Sequence, residues 1–245
     1  MADMSRACVL LTFASTLACA DREGSHPADS TTATDSGALV RGPAVDSGAP
    51  RLEPRDEANA SFRAFRERLL AALARRDTAF LHGIVAPEIR TNFGADGGIE
   101  DFKSMWKTAD ASSEVWATLD RLLRMGGKHS SDSMFYAPYV YAFWPDSIDA
   151  FSHVAVTGAN VAVRSDRQSR SPVLGTASHS IFKAAEWTGI PGDVIASDTS
   201  WVRVELPDKR SGWLSVGDVY SPVSWRAAFA RRGDQWVMIL LVAGD

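Results

Sequence analysis

Cysteine is confined to the first 19 residues of this chain, at Cys8 and Cys19. Beyond them a disulfide framework, a thiol nucleophile and a cysteine metal site are excluded. An excess of basic charge is also missing. The 26 basic and 30 acidic residues leave a formal net charge of −4. Ala20 to Glu57, with eight acids against four bases, carries all of it. From Ala58 onward the two signs balance, so the folded part lacks the basic face that nucleic acid selects. No apolar run reaches the ~18 to 20 residues of a membrane-spanning helix. The histidines, His26, His82, His129, His153 and His179, stand apart. None forms His-x-x-x-His or His-Glu-x-x-His, and no Gly-x-Gly-x-x-Gly or phosphate loop is present. Neither a metal nor a cofactor is expected.

What is present begins with an address. Arg6 precedes a short apolar core from Ala7 to Ala14, and Leu17-Ala18-Cys19-Ala20 follows. One early positive charge, a short apolar stretch and small residues before a cut site make a secretory signal. Its end resembles a bacterial lipobox, with Thr16 where such boxes usually carry Leu. That resemblance implies lipidation of Cys19. With Ala20 rather than Asp next, it implies the periplasmic face of the outer membrane. The alternative is an ordinary signal cut near Ala18 or Ala20. Residues 20–57 hold four prolines and no aromatic residue. A stretch that cannot bury enough surface to offset its ordering entropy is expected to be a disordered tether.

Residues 58–152 read as helical. Phe62, Phe65, Leu69 and Leu73 form one stripe at three- and four-residue steps. Asp77 is placed to cap a second helix carrying Phe80, Leu81, Ile84 and Val85 and stopped by Pro87. A third helix puts Phe102, Met105 and Trp106 on one face. A fourth, after Ser112 or Ser113, turns Trp116, Leu119 and Leu123 inward and ends at Gly126-Gly127. Phe135 to Pro145 reads as an extended aromatic segment packed over the helices. From His153 the texture changes to short β segments bounded by Gly, Pro, Ser or Asp, the signal of a small barrel. Trp225 to Ala230 and Gln235 to Val242 flank a turn at Arg231-Arg232-Gly233-Asp234. The second strand is apolar on both faces and is expected to be central and buried.

Four motifs occur in order: Asn160-Val161-Ala162-Val163-Arg164-Ser165, Val173-Leu174-Gly175, Trp201-Val202-Arg203-Val204 and Gly212-Trp213-Leu214. Together they resemble a bacterial SH3 domain over residues 153–221. Ala162 stands where that family has Asn, and Asp166-Arg167-Gln168 where it has Gly-Pro-Ser. The resemblance implies a small barrel that binds peptides or cell-wall material, and implies no activity. The expected fold class is α+β. A mainly helical part (58–152) and a C-terminal β-hairpin (222–245) would pack together, with an all-β SH3-like barrel inserted at 153–221.

On this reading ligand contact falls to Arg164, Asp166, Arg167, Trp187 and Trp201. Trp201 is expected half exposed at a groove, Trp187 in a long loop, and Trp213 in the core. Arg164 is expected to fix its loop through carbonyls more than to face a ligand. Tyr136, Tyr139 and Tyr141 are candidates for an aromatic cleft or for packing. No catalytic residue is assigned. Ser-x-x-Lys occurs at Ser104–Lys107 and Ser180–Lys183, with no accompanying Ser-Asp-Asn or Lys-Thr-Gly. Asp96, Glu100 and Asp101 are candidate paired carboxylates, but the start of a helix favours acids in any case. The expected function is non-enzymatic: an envelope lipoprotein whose SH3-like module engages a peptidoglycan peptide or an envelope protein. The alternative is an envelope hydrolase with its site in the helical part.

Overall fold

The computed structural model describes residues 42–94, 97–187 and 201–244; of Glu186 and Trp187 the backbone alone is described. Cys19 and residues 20–41 lie outside the described residues. No helix among the described residues is long and apolar enough to cross a membrane.

Helix α1 (Ala60–Ala74) starts where the Asn59 side chain accepts from the Phe62 amide at 2.9 Å, satisfying a donor the helix itself leaves open. It buries Phe62, Phe65, Leu69, Ala72 and Leu73, the stripe expected. Asp77 caps α2 (Thr78–Ile84) in the same way, through the Phe80 amide. Helices α3 (Ile99–Trp106) and α4 (Val115–Arg124) follow. In α3 only Phe102 and Trp106 are buried. Met105 is 47% exposed, contrary to expectation, because the helix stops at Lys107 and leaves its last turn open on that side.

Five strands form one sheet: β1 (Val85–Arg90), β2 (Lys128–Ser131), β3 (Met134–Ala137), β11 (Arg226–Arg232) and β12 (Gln235–Val242), in the order β1-β12-β11-β3-β2. β12 is central, pairing parallel with β1 and antiparallel with β11. The C-terminal hairpin lies against α1: the Trp236 ring is 5.0 Å from that of Phe62. Two expectations are corrected here. Pro87, read only as a helix stop, lies inside β1, where its missing N–H is tolerated because β1 is an edge strand. The aromatic stretch is not draped over the helices. Phe135 to Ala137 runs inside the sheet between β2 and β11, and Tyr139–Ala142 forms the short helix α5. Phe135 is held there by stacking on Phe62 at 3.9 Å.

The other sheet has seven strands: β4 (His153–Val156), β5 (Val161–Arg164), β6 (Val173–Ala177), β7 (Ile181–Trp187), β8 (Trp201–Glu205), β9 (Ser211–Ser215) and β10 (Val219–Tyr220). Their order is β10-β4-β7-β8-β9-β5-β6, with antiparallel pairing throughout. Among the described residues no pairing joins β6 to β10, so closure into a barrel is not seen. Val154, Val156, Val163, Phe182, Val202, Val204 and Leu214 make a core of their own. The class is α+β.

The tether expectation fails for the last 16 of its 38 residues. Residues 42–57 are ordered. Thr176 donates its amide to Pro43 at 2.9 Å and accepts from the Val45 amide at 3.0 Å. The segment then passes His179 and Ile181, bonding through Leu52 and Pro50. Asp46, only 2% exposed, accepts from the Ser178 amide at 2.9 Å and from the Ser180 hydroxyl, and ion-pairs with Arg51 at 3.3 Å. Burial pushes the Asp46 carboxyl up, but these hydrogen bonds and the Arg51 charge together hold it below its ordinary value. Composition predicted disorder because apolar residues are few. Val45 and Leu52 nevertheless each reach a core, and the sheet supplies the backbone partners.

Candidate ligand-binding face

The β5–β6 turn is wired from within. Ser165 bonds to the Pro172 carbonyl at 2.9 Å, the Ser171 hydroxyl donates to the Asp166 and Gln168 carbonyls at 2.9 Å each, and Asp166 Oδ1 accepts from the Arg167 amide at 2.7 Å. Arg164 Nη1 donates to the Ser171 carbonyl at 2.8 Å, the scaffold role expected of it. Asp166 and Arg167 are left exposed at the tip. The turn therefore presents two opposite charges on a stiff backbone.

Arg164 stands opposite Trp213 on β9, and Trp213 stands opposite Arg203 on β8. Directly opposed residues of antiparallel strands share one face, so an indole is flanked by two guanidinium-bearing residues across three strands. Arg203 Nη2 donates to the Ser211 hydroxyl at 3.2 Å. Trp213 is half-buried, not in the core. The inward position belongs to its neighbour Gly212, where a Cβ would stand 2.3 Å from Val163 Cγ1. Alternation then turns Trp213 outward.

The remaining expected residues are not brought together here. Trp201 is 4% exposed, not half exposed, so its indole offers no open surface. Trp187 belongs to strand β7, paired with Val202, and not to a loop. Trp213 and Arg203 were legible only through strand alternation, which a glycine at 212 disguised.

Asp218, beside this face, has its carboxyl raised: burial pushes it up, and the Arg121 and Arg164 charges offset part of that. Other carboxylates at clefts are held low. Asp110 is held by the Ser112 amide and hydroxyl, and Glu205 by Lys209. For Asp56, burial raises the carboxyl, but the bidentate Arg66 hydrogen bonds and charge outweigh it. Such groups are anions at neutral pH and not proton donors. Glu100 and Asp101 lie in the first turn of α3, with Glu100 bonded to Lys103 at 2.7 Å, the dipole-compensating arrangement. Asp96 lies outside the described residues. The Ser180 hydroxyl is spent on Asp46 and the Ser178 carbonyl, whereas Lys183 is exposed. Tyr139 is packed at 1% exposure, its hydroxyl pushed up to about 12 by burial and the Glu53 charge. Tyr136 and Tyr141 touch at 6.3 Å outside it. No group of three or more His, Cys, Asp or Glu among the described residues is arranged to hold a metal ion.

No family model matches this chain, and no curated protein or solved structure matches it either. The four sequence motifs fall on β5, β6, β8 and β9 of one sheet.

Proposed function

We propose that the protein is an envelope lipoprotein, anchored through Cys19, that binds without catalysing. The seven-stranded sheet is read as a bacterial SH3-like barrel inserted between residues 58–152 and 222–245. Its ligand is a cell-wall peptide or the exposed segment of an envelope protein. The row Arg164–Trp213–Arg203 carries this reading. An indole held between two anchored arginines suits an extended peptide bearing a carboxylate: the ring takes apolar area, and the exposed Arg167 guanidinium recognises the acid. Asp166 and Arg167 extend that face at its edge.

Binding to purified peptidoglycan sacculi tests it, with the full chain in detergent. Trp213→Ala and Arg167→Glu should each lower retention about tenfold, which corresponds to about 1.4 kcal/mol. Wild-type protein that passes through would reject a cell-wall ligand, and variants retained equally well would reject this face as the site. For the anchor, Cys19→Ser should leave the membrane fraction and lose labelled fatty acid. Label persisting on that variant rejects lipidation.

A further inference from the structure

A second recessed surface lies in the helical part, remote in sequence from the β5–β6 turn. Met105, Trp106, Lys107, Asp110, Glu114 and Trp225 line an open cleft of about 400 Å³, within the roughly 300–1,000 Å³ of small-molecule sites. Its floor is a pair of indoles. Trp106 is 7% exposed and backs Trp225, which is half-buried, with centroids 4.5 Å apart and planes tilted by 53°. Because the rings touch, nothing fits between them. They offer one aromatic platform and not an enclosing cage.

The rim is polar and stiff. Lys107 takes a left-handed conformation at φ 46°, uncommon for a residue with a Cβ. The loop after it closes on itself. Asp110 donates its amide to the Lys107 carbonyl at 2.8 Å, and its Oδ1 accepts from the Ser112 amide and hydroxyl at 2.7 and 2.8 Å. The Asp110 carbonyl accepts from the Ser113 amide and from Trp116 Nε1, and the Ser113 hydroxyl donates to the Trp106 carbonyl. Asp110 Oδ2, the Glu114 carboxylate and the Lys107 ammonium make no hydrogen bond or ion pair with a described residue. A second groove of about 380 Å³ shares Ser112, Ser113 and Glu114 with the first and continues past Trp116 to Asp120. The two adjoin along these three residues and are read as one trough.

A single aromatic face edged by free carboxylate acceptors and one ammonium donor matches a pyranose ring. The ring's C–H face lies on the indole, and its hydroxyls donate to carboxylates and accept from lysine. A quaternary ammonium needs aromatic faces around it, which two touching rings do not provide. Across both grooves an anionic sugar meets Asp110, Glu114 and Asp120 against Lys107 and Arg76, a carboxylate excess. The second groove gives room for a following residue of the same chain. We propose that this trough binds a neutral oligosaccharide, with Trp225 as the stacking platform and Asp110, Glu114 and Lys107 as the hydroxyl contacts.

The test is calorimetric titration of the full chain with cellohexaose, chitohexaose and, as the cationic control, choline. Saturable binding of at least one hexasaccharide is expected, weakened about tenfold or more in Trp225→Ala. The double variant Asp110→Asn, Glu114→Gln should weaken it several-fold. Its melting temperature serves as the folding check should Trp225→Ala prove unstable. Arg167→Glu should leave it unchanged, which separates this site from the peptide-binding face. Binding of neither hexasaccharide, binding of choline alone, or undiminished affinity in the carboxamide double variant would overturn the proposal.

Discussion

Asp46 shows how one side chain turns an expected tether into structure. Its carboxylate gathers the Ser178 amide, the Ser180 hydroxyl and Arg51 at the point where the N-terminal segment crosses β6 and β7. Its folded pKa lies below the ordinary 3.8. The stabilisation is therefore present above that value and lost as pH falls through the folded one. Asp46→Asn should cost about 1–3 kcal/mol at neutral pH, since buried donors lose a charged acceptor. In urea titrations carried from neutral pH to below 3.8, the gap between wild type and variant should narrow as pH falls through the folded pKa of Asp46. A gap independent of pH would show that the carboxylate charge is not what holds the segment. Phe62 is the corresponding residue in the helical core, ringed by Phe65, His129, Phe135, Phe229 and Trp236. Phe62→Ala should cost about 3–5 kcal/mol, read as a lowered urea midpoint. His129 nearby accepts the Asn59 amide on Nε2 at 3.1 Å, which assigns its proton to Nδ1, facing the Ser131 and Met134 carbonyls.

At the scale of elements, residues 42–57 act as a strap along the seven-stranded sheet. Gly175 is what lets them approach: a Cβ there would sit 2.3 Å from the Pro43 carbonyl oxygen. Removing residues 1–57 should lower the melting temperature well below that of the chain lacking only residues 1–41. Equal melting would show that the strap adds no stability. Gly175→Ala, read by limited proteolysis, should expose the strap to cleavage without unfolding the helices. Helices and the C-terminal hairpin were legible because their apolar stripes, Asp77 cap and turn are local signals. β1 was not, because Pro87 signals a break unless the strand is known to be an edge. β3 was not, because its place is set by Phe62, some 70 residues away in the chain, and not by its own alternation. Gly175 and Gly212 were recognised as motif letters. What each makes room for, the strap in one case and Val163 in the other, is information that no spacing carries. The same limit hid the candidate site: Trp213 looked like core until its neighbour was seen to face inward.

At the scale of the molecule, the two sheets are bound together. Arg121 on α4 donates to the Val219 carbonyl at 3.0 Å and lies over the Tyr220 ring at 5.0 Å, and the Tyr220 hydroxyl donates to the Trp225 carbonyl. Burial lowers the Arg121 pKa, which the Tyr220 and Asp218 charges partly offset. Ala155, Ile181 and Tyr220 from the seven-stranded sheet share the buried cluster of the helices. Calorimetry should therefore record a single unfolding transition. Arg121→Ala should lower its midpoint or split it in two, and an unchanged trace would show that this arginine does not couple the sheets.

β6 ends the seven-stranded order, and Ala44 bridges onto it at Thr176. An uncovered edge strand invites pairing with other chains. A fragment cut at the motif boundaries, residues 153–221, would leave that edge bare and lose Val45 from the core beneath it. The segment that most resembles a portable module thus depends on residues outside its own bounds. Whatever accompanies it into another protein must bring its own cover for β6.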